Sequence, residues 1–79
     1  MHLCITGFLA GDSDDTSLKY ELDVHSSFEK AVLEVMGWQS FAESPEGEWL
    51  LTGDQSERIA TVISEQLPRD LDLFIGVEA

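Results

Sequence analysis

The chain has 79 residues, room for one domain over 1–79 and too little for a deep core beside an elaborate active site. A domain of this size buries only about 60% of the surface its unfolded chain exposes. A hydrophobic share of 43%, with two Trp, four Phe and one Tyr, excludes a disordered chain, and sixteen acidic against four basic residues give a formal net charge of −12.

That charge exceeds the magnitude of about 2–8 that keeps a small domain soluble. Self-repulsion at this level costs stability. Direct binding to a nucleic-acid backbone is disfavoured, because too few Lys and Arg are present to displace its counterions. A basic protein partner fits the charge; so does an acidic domain with no electrostatic task. Cys4 is the single cysteine, which excludes an internal disulfide and a cysteine-based metal site. The apolar start MHLCITGFLA lacks a basic flank and is too short to span a bilayer, so a cytoplasmic protein with no membrane partner is expected.

In chain order, residues 2–10 predict a first strand. Leu3, Ile5 and Leu9 share one face with Gly7; Cys4, Thr6, Phe8 and Ala10 share the other. Both faces are apolar, as in a strand covered on both sides. Gly7 signals a bulge or a close backbone approach, and Cys4 reads as a small buried hydrophobe. Residues 11–17, GDSDDTS, form a turn with a strongly negative tip, joining two antiparallel strands.

Residues 18–24 alternate cleanly, with Leu18, Tyr20, Leu22 and Val24 inward and Lys19, Glu21 and Asp23 outward, which is a half-buried strand. The period then changes to 3.6. Phe28, Ala31, Val32, Val35 and Met36 make one apolar stripe on a helix, started by the Ser26/Glu29 capping-box spacing and stopped by Gly37. Trp38 to Glu43 reads as a short strand, Ser44-Pro45-Glu46-Gly47 as a turn, and Glu48 to Thr52 as the returning strand of a hairpin. Trp38 and Trp49 would face each other there, with Trp49 in the core and Trp38 either a clasp or an exposed anchor.

A second helix begins near Asp54, with capping-box spacing at Asp54/Glu57 and again at Thr52/Gln55, and an i,i+4 pair at Asp54 and Arg58. Its stripe is Ile59, Val62, Ile63 and Leu67, and Pro68 ends it. A last strand alternates Leu71, Leu73, Ile75 and Val77 against Asp70, Asp72, Phe74 and Glu78.

The expected fold is α+β in the order ββαββαβ, an antiparallel or mixed sheet with two helices packed on one face, a variant of the ferredoxin-like split βαβ arrangement. That arrangement contains a conflict. It places the last strand beside the second, the edge that a hairpin from the first strand would also claim.

No nucleophile elbow, phosphate loop or dinucleotide fingerprint is present, and a non-enzymatic protein without cofactors is expected. Asp12, Asp14 and Asp15 offer hard oxygens, but the glycine and closing glutamate of a calcium loop are missing, so a solvated hairpin tip is the simpler reading. His2 and His25 have no ligand spacing; a surface or capping role fits His25 at the strand–helix junction, and no metal is expected. With the helices on the apolar face, Glu21, Asp23, Asp70, Asp72 and Glu78 fall on an open face around Phe74, with Phe8 joining it. An ordinary solvated face carries acids too. An acidic face with central aromatics, though, has the parts of a docking surface for a basic partner.

Two functions follow as expectations. The first is a small acidic inhibitor: an immunity protein or antitoxin of a nuclease-type toxin, or a phage-type nucleic-acid mimic. It would occupy a positive groove through Glu21, Asp23, Asp70, Asp72 and Phe74, with Asp12, Asp14 and Asp15 as a second patch. The second is a regulatory or scaffold domain that forms a homodimer through its sheet and binds a metabolite or another subunit.

Overall fold

The computed structural model describes residues 2–9, 17–39 and 47–78. Among them the order is β1 (His2–Leu9), β2 (Tyr20–Asp23), a 3₁₀ turn (Ser26–Phe28), α1 (Glu29–Met36), β3 (Glu48–Leu50), α2 (Gly53–Ile63) and β4 (Leu71–Glu78). This is a small α+β fold. The strand expected at 38–43 is not borne out at Trp38 and Gln39, which lie outside any strand; its remainder and the turn at 44–46 lie outside the described residues, as does the 10–16 tip.

The sheet order is β2-β1-β4-β3, and every pairing is antiparallel. This corrects the split βαβ expectation, which calls for a parallel pair joined through a helix. The hairpin wins the contested edge. β1 takes β2 on one side and β4 on the other, in full register from His2 opposite Glu78 to Leu9 opposite Leu71. Apolar residues on both faces of β1 suit that central place. The β1–β2 ladder extends past the strand bounds: the Lys19 N–H donates to the Gly7 carbonyl at 2.8 Å and the Val24 N–H to the Leu3 carbonyl at 2.9 Å.

Odd-numbered residues of β1 and β4 and the even-numbered residues of β2 face the helices. Leu3, Ile5, Leu73 and Ile75 from the sheet meet Val32, Leu33, Ile59 and Ile63 from the helices in one core. The predicted stripe of α2 is therefore the buried one. Leu18 departs from its alternation: it precedes the paired residues and is 47% exposed.

The helix ends show which local signals act. At α2 the Thr52/Gln55 capping box forms, with the Gln55 N–H donating to Thr52 Oγ1 at 3.1 Å and the Thr52 N–H donating to Gln55 Oε1 at 3.0 Å. At the start of the 3₁₀ turn the cap is His25, not Ser26: its Nδ1 accepts from the Ser27 N–H at 3.1 Å. Gly37 ends α1 at φ 79°, with the Trp38 N–H reaching back to the Leu33 carbonyl.

α2 stops at Ile63, five residues before Pro68, because Ser64 takes the left-handed conformation at φ 55° and the Glu65 N–H closes onto the Ala60 carbonyl at 3.0 Å. A left-handed L-residue costs about 1–2 kcal/mol, against about 0.5–1 kcal/mol for the extra unfolded freedom of glycine. Ser64→Gly is therefore expected to stabilise the fold by about 0.5–1 kcal/mol, seen as a melting temperature raised by a few degrees. An unchanged or lower melting temperature would contradict this helix end. No helix among the described residues is long and apolar enough to cross a membrane.

Candidate functional site: the open face of the sheet

The face turned away from the helices is built in cross-strand rows. One row runs Glu21, Thr6, Phe74, Leu50; the next runs Asp23, Cys4, Gly76, Glu48. Phe8 stands opposite Asp72 on one side of these rows, and His2 opposite Glu78 on the other. Directly opposed side chains in an antiparallel pair stand about 4.5–5.5 Å apart and point to the same face. The register alone thus sets carboxylates around a strip of small and aromatic groups.

At the centre the Phe8 and Phe74 rings meet edge to face, with centroids 5.8 Å apart and planes at 74°. The expectation that Phe8 joins Phe74 is met. Around them Glu21, Asp23, Glu48, Asp72 and Glu78 are all exposed. Against these acids the described residues set His2, at 3.2 Å from Asp23, and Lys19, at the end of the β2 row. The other basic residues lie elsewhere: Lys30 on α1, Arg58 beside Asp54 at 4.0 Å, and Arg69 at 3.4 Å from Glu57.

Not every predicted residue belongs to this face. Asp70 is exposed but sits in the bend before β4, outside the paired rows, because the β1 ladder ends at Leu71. Asp12, Asp14 and Asp15 lie outside the described residues. Glu48 and Leu50 join the face without having been predicted, since their position depends on which strand β3 pairs with.

Trp49 departs from the expectation of a core residue, and Trp38, left open, proves half-buried. Trp49 is 50% exposed, because β3 is a three-residue strand paired, among the described residues, only with β4. Trp38 packs half-buried against the core. The two do not stack; ring contacts among the described residues are Phe8 with Phe74 and His25 with Phe28.

Two buried groups lie beneath the face. Thr6 is 7% exposed, and its Oγ1 has no hydrogen-bond partner among the described residues. A buried hydroxyl left unpaired is costly. Cys4 is 2% exposed. Burial, followed by the negative field of Glu78, Asp23 and Glu21, pushes its thiol from 9.0 up to about 12.

The raised value sets the sign of two effects. The thiol stays protonated through neutral pH, and the stability it contributes falls as pH climbs from 9.0 toward about 12. Native protein at pH 8 is expected to react with iodoacetamide at least tenfold more slowly than urea-unfolded protein, since the thiolate is the nucleophile. Equal rates would show that the thiol is open to solvent.

On the helix side, burial and the Glu65 charge raise the Tyr20 phenol above its ordinary 10.0. A concavity of about 720 Å³ lies between α2 and the segment leading to β4, where Glu57 and Arg69 pair. No family model, curated protein or solved structure matches the chain.

Proposed function

We propose that this protein is a small acidic inhibitor that docks the open face of its sheet into the positively charged groove of a basic protein. The carrying observation is the aromatic pair Phe8–Phe74 on a face that also carries the exposed carboxylates of Glu21, Asp23, Asp72 and Glu78. The carboxylates occupy the Arg and Lys positions that would otherwise hold a phosphate backbone, and the aromatics supply the apolar contact at the centre. Nuclease-type toxins and nucleic-acid-binding proteins have grooves of this kind, so the reading is of an immunity protein, an antitoxin or a phage-type nucleic-acid mimic. It acts by competition and needs neither a cofactor nor chemistry of its own.

The test is capture from the source-cell lysate at physiological salt, with a nuclease-treated duplicate and a Glu21→Lys/Asp72→Lys bait alongside. A basic protein retained in both wild-type samples, released by raised salt and absent from the charge-reversed bait is the expected result. Equal retention by the charge-reversed bait would overturn the reading.

One observation supports a second reading, a regulatory or scaffold domain that pairs with itself. Trp49 at 50% and Leu50 at 53% exposure lie on β3, whose outer backbone edge is unpaired among the described residues. A dimer that persists at high salt and dissociates on Trp49→Lys would favour it.

A further inference from the structure

The register brings three metal-binding groups together from distant parts of the chain: His2 from β1, Asp23 from β2 and Glu78 from β4. Their ligand atoms all lie within 4.8 Å of one another. The His2 Nε2 is 3.2 Å from Asp23 Oδ1 and 4.0 Å from Glu78 Oε2.

We propose that His2, Asp23 and Glu78 form a binding site for a divalent transition-metal ion of the zinc type. Bonds from such an ion to nitrogen and oxygen ligands are about 2.0–2.2 Å long, which sets adjacent ligands of a tetrahedral ion about 3.4 Å apart. The His2–Asp23 separation of 3.2 Å already matches that spacing. Glu78 Oε2 stands 4.0 Å from His2 Nε2, and its side chain, 53% exposed, has free space in which to move toward the ion.

The donor set selects the ion. An imidazole nitrogen favours zinc, cobalt or nickel over calcium and magnesium, which prefer six or more oxygens. Three protein ligands leave the fourth position to water or to a group from a partner. All three ligands stand on paired strands, His2 opposite Glu78 across β1 and β4 and Asp23 opposite Cys4 across β1 and β2. It stands at one corner of the open face, and its existence does not depend on the inhibitor reading.

The experiment titrates zinc chloride, and separately calcium chloride, into the protein by calorimetry at 0.15 M NaCl, where diffuse attraction to the net charge is screened. The ring nitrogens of both histidines are followed by NMR. One equivalent of zinc is expected, with calcium at least tenfold weaker and the His2 ring shifting while the His25 ring does not. His2→Gln, Asp23→Asn and Glu78→Gln are each expected to weaken zinc at least tenfold, whereas Glu57→Gln leaves it unchanged. All the substituted side chains reach solvent, and far-ultraviolet circular dichroism checks that each variant is folded. Zinc bound equally well by His2→Gln, or calcium bound as tightly as zinc, would overturn the site and leave only diffuse attraction to an acidic surface.

Discussion

Gly7→Val is expected to destabilise the protein by about 2 kcal/mol or more, although valine is the better strand former. A Cβ on Gly7 would stand 3.0 Å from Leu73 Cδ2, 3.0 Å from Tyr20 Cβ and 3.1 Å from Leu71 Cδ1. The leucine carbons can rotate away. Tyr20 Cβ cannot, because it is fixed to the backbone of β2, which pairs with β1 at this residue. Valine gains at most about 1 kcal/mol from strand propensity and about 0.5–1 kcal/mol from the lost freedom of glycine in the unfolded chain. Overpacking by even one methyl costs about 1–3 kcal/mol, and valine places two further methyls in the same gap. The steric cost decides the sign. For a chain of this size, total stability is on the order of 4–12 kcal/mol, so the effect is large.

Urea denaturation measures it, as a lowered midpoint at an unchanged slope. Gly76→Ala is the matched control in the adjacent strand. There the new Cβ meets Glu48 Cγ and the Gly47 carbonyl oxygen at 3.4 Å, an ordinary contact, so the change is expected to be neutral or stabilising by up to about 1 kcal/mol. If both variants lost stability equally, the close approach of β1 to Tyr20 and Leu73 would not be the cause.

Gly7 also marks what the sequence discloses. A glycine inside an alternating apolar run signals a close neighbour, and the neighbour is there. Alternation in 20–24 and 71–78 likewise identifies the outward residues, because successive strand side chains alternate faces whatever the pairing, while Leu18 and Asp70, just outside the strands, escape it. The Thr52/Gln55 box and the Gly37 stop are local hydrogen-bond chemistry, so they are legible within a few residues. Pairing is different. Alternation says which face a residue takes and nothing about which strand lies beside it, so the order β2-β1-β4-β3 could not be read.

Two errors follow from that gap, and one juxtaposition stays hidden by it. The fold was expected to place the last strand against the second, whereas β1 holds both. Trp49 looked like core on its chemistry alone, yet an outer strand leaves it half in water. His2, Asp23 and Glu78 showed no ligand spacing, because they meet through register and not through sequence proximity. The early end of α2 is a separate case: serine carries little signal for a left-handed cap, and Pro68 is the more visible stop.

Under the proposed docking, Glu21→Lys combined with Asp72→Lys is expected to weaken binding to a basic partner at least 100-fold, most of it in the association rate. Both side chains are exposed, so the fold should be unaffected and the reduced net charge should relieve self-repulsion. The two residues flank the aromatic pair from opposite strands: Glu21 on β2 stands beside Thr6, and Asp72 on β4 beside Phe8. Reversing them therefore sets positive charge on both sides of the central contact. Removing a rim charge chiefly slows encounter, and placing like charges against each other costs several kcal/mol more. A factor of 100 is about 2.7 kcal/mol.

Phe74→Ala should act in the other rate, raising dissociation, because a central apolar anchor is lost while the steering field is kept. Surface plasmon resonance at two salt concentrations separates the effects. Wild-type association should fall steeply as salt rises, and the charge-reversed variant should lose most of that dependence. A charge-reversed protein that associates as fast as wild type, with the same response to salt, would mean that the acids on this face are solvated background and that recognition lies elsewhere on the molecule.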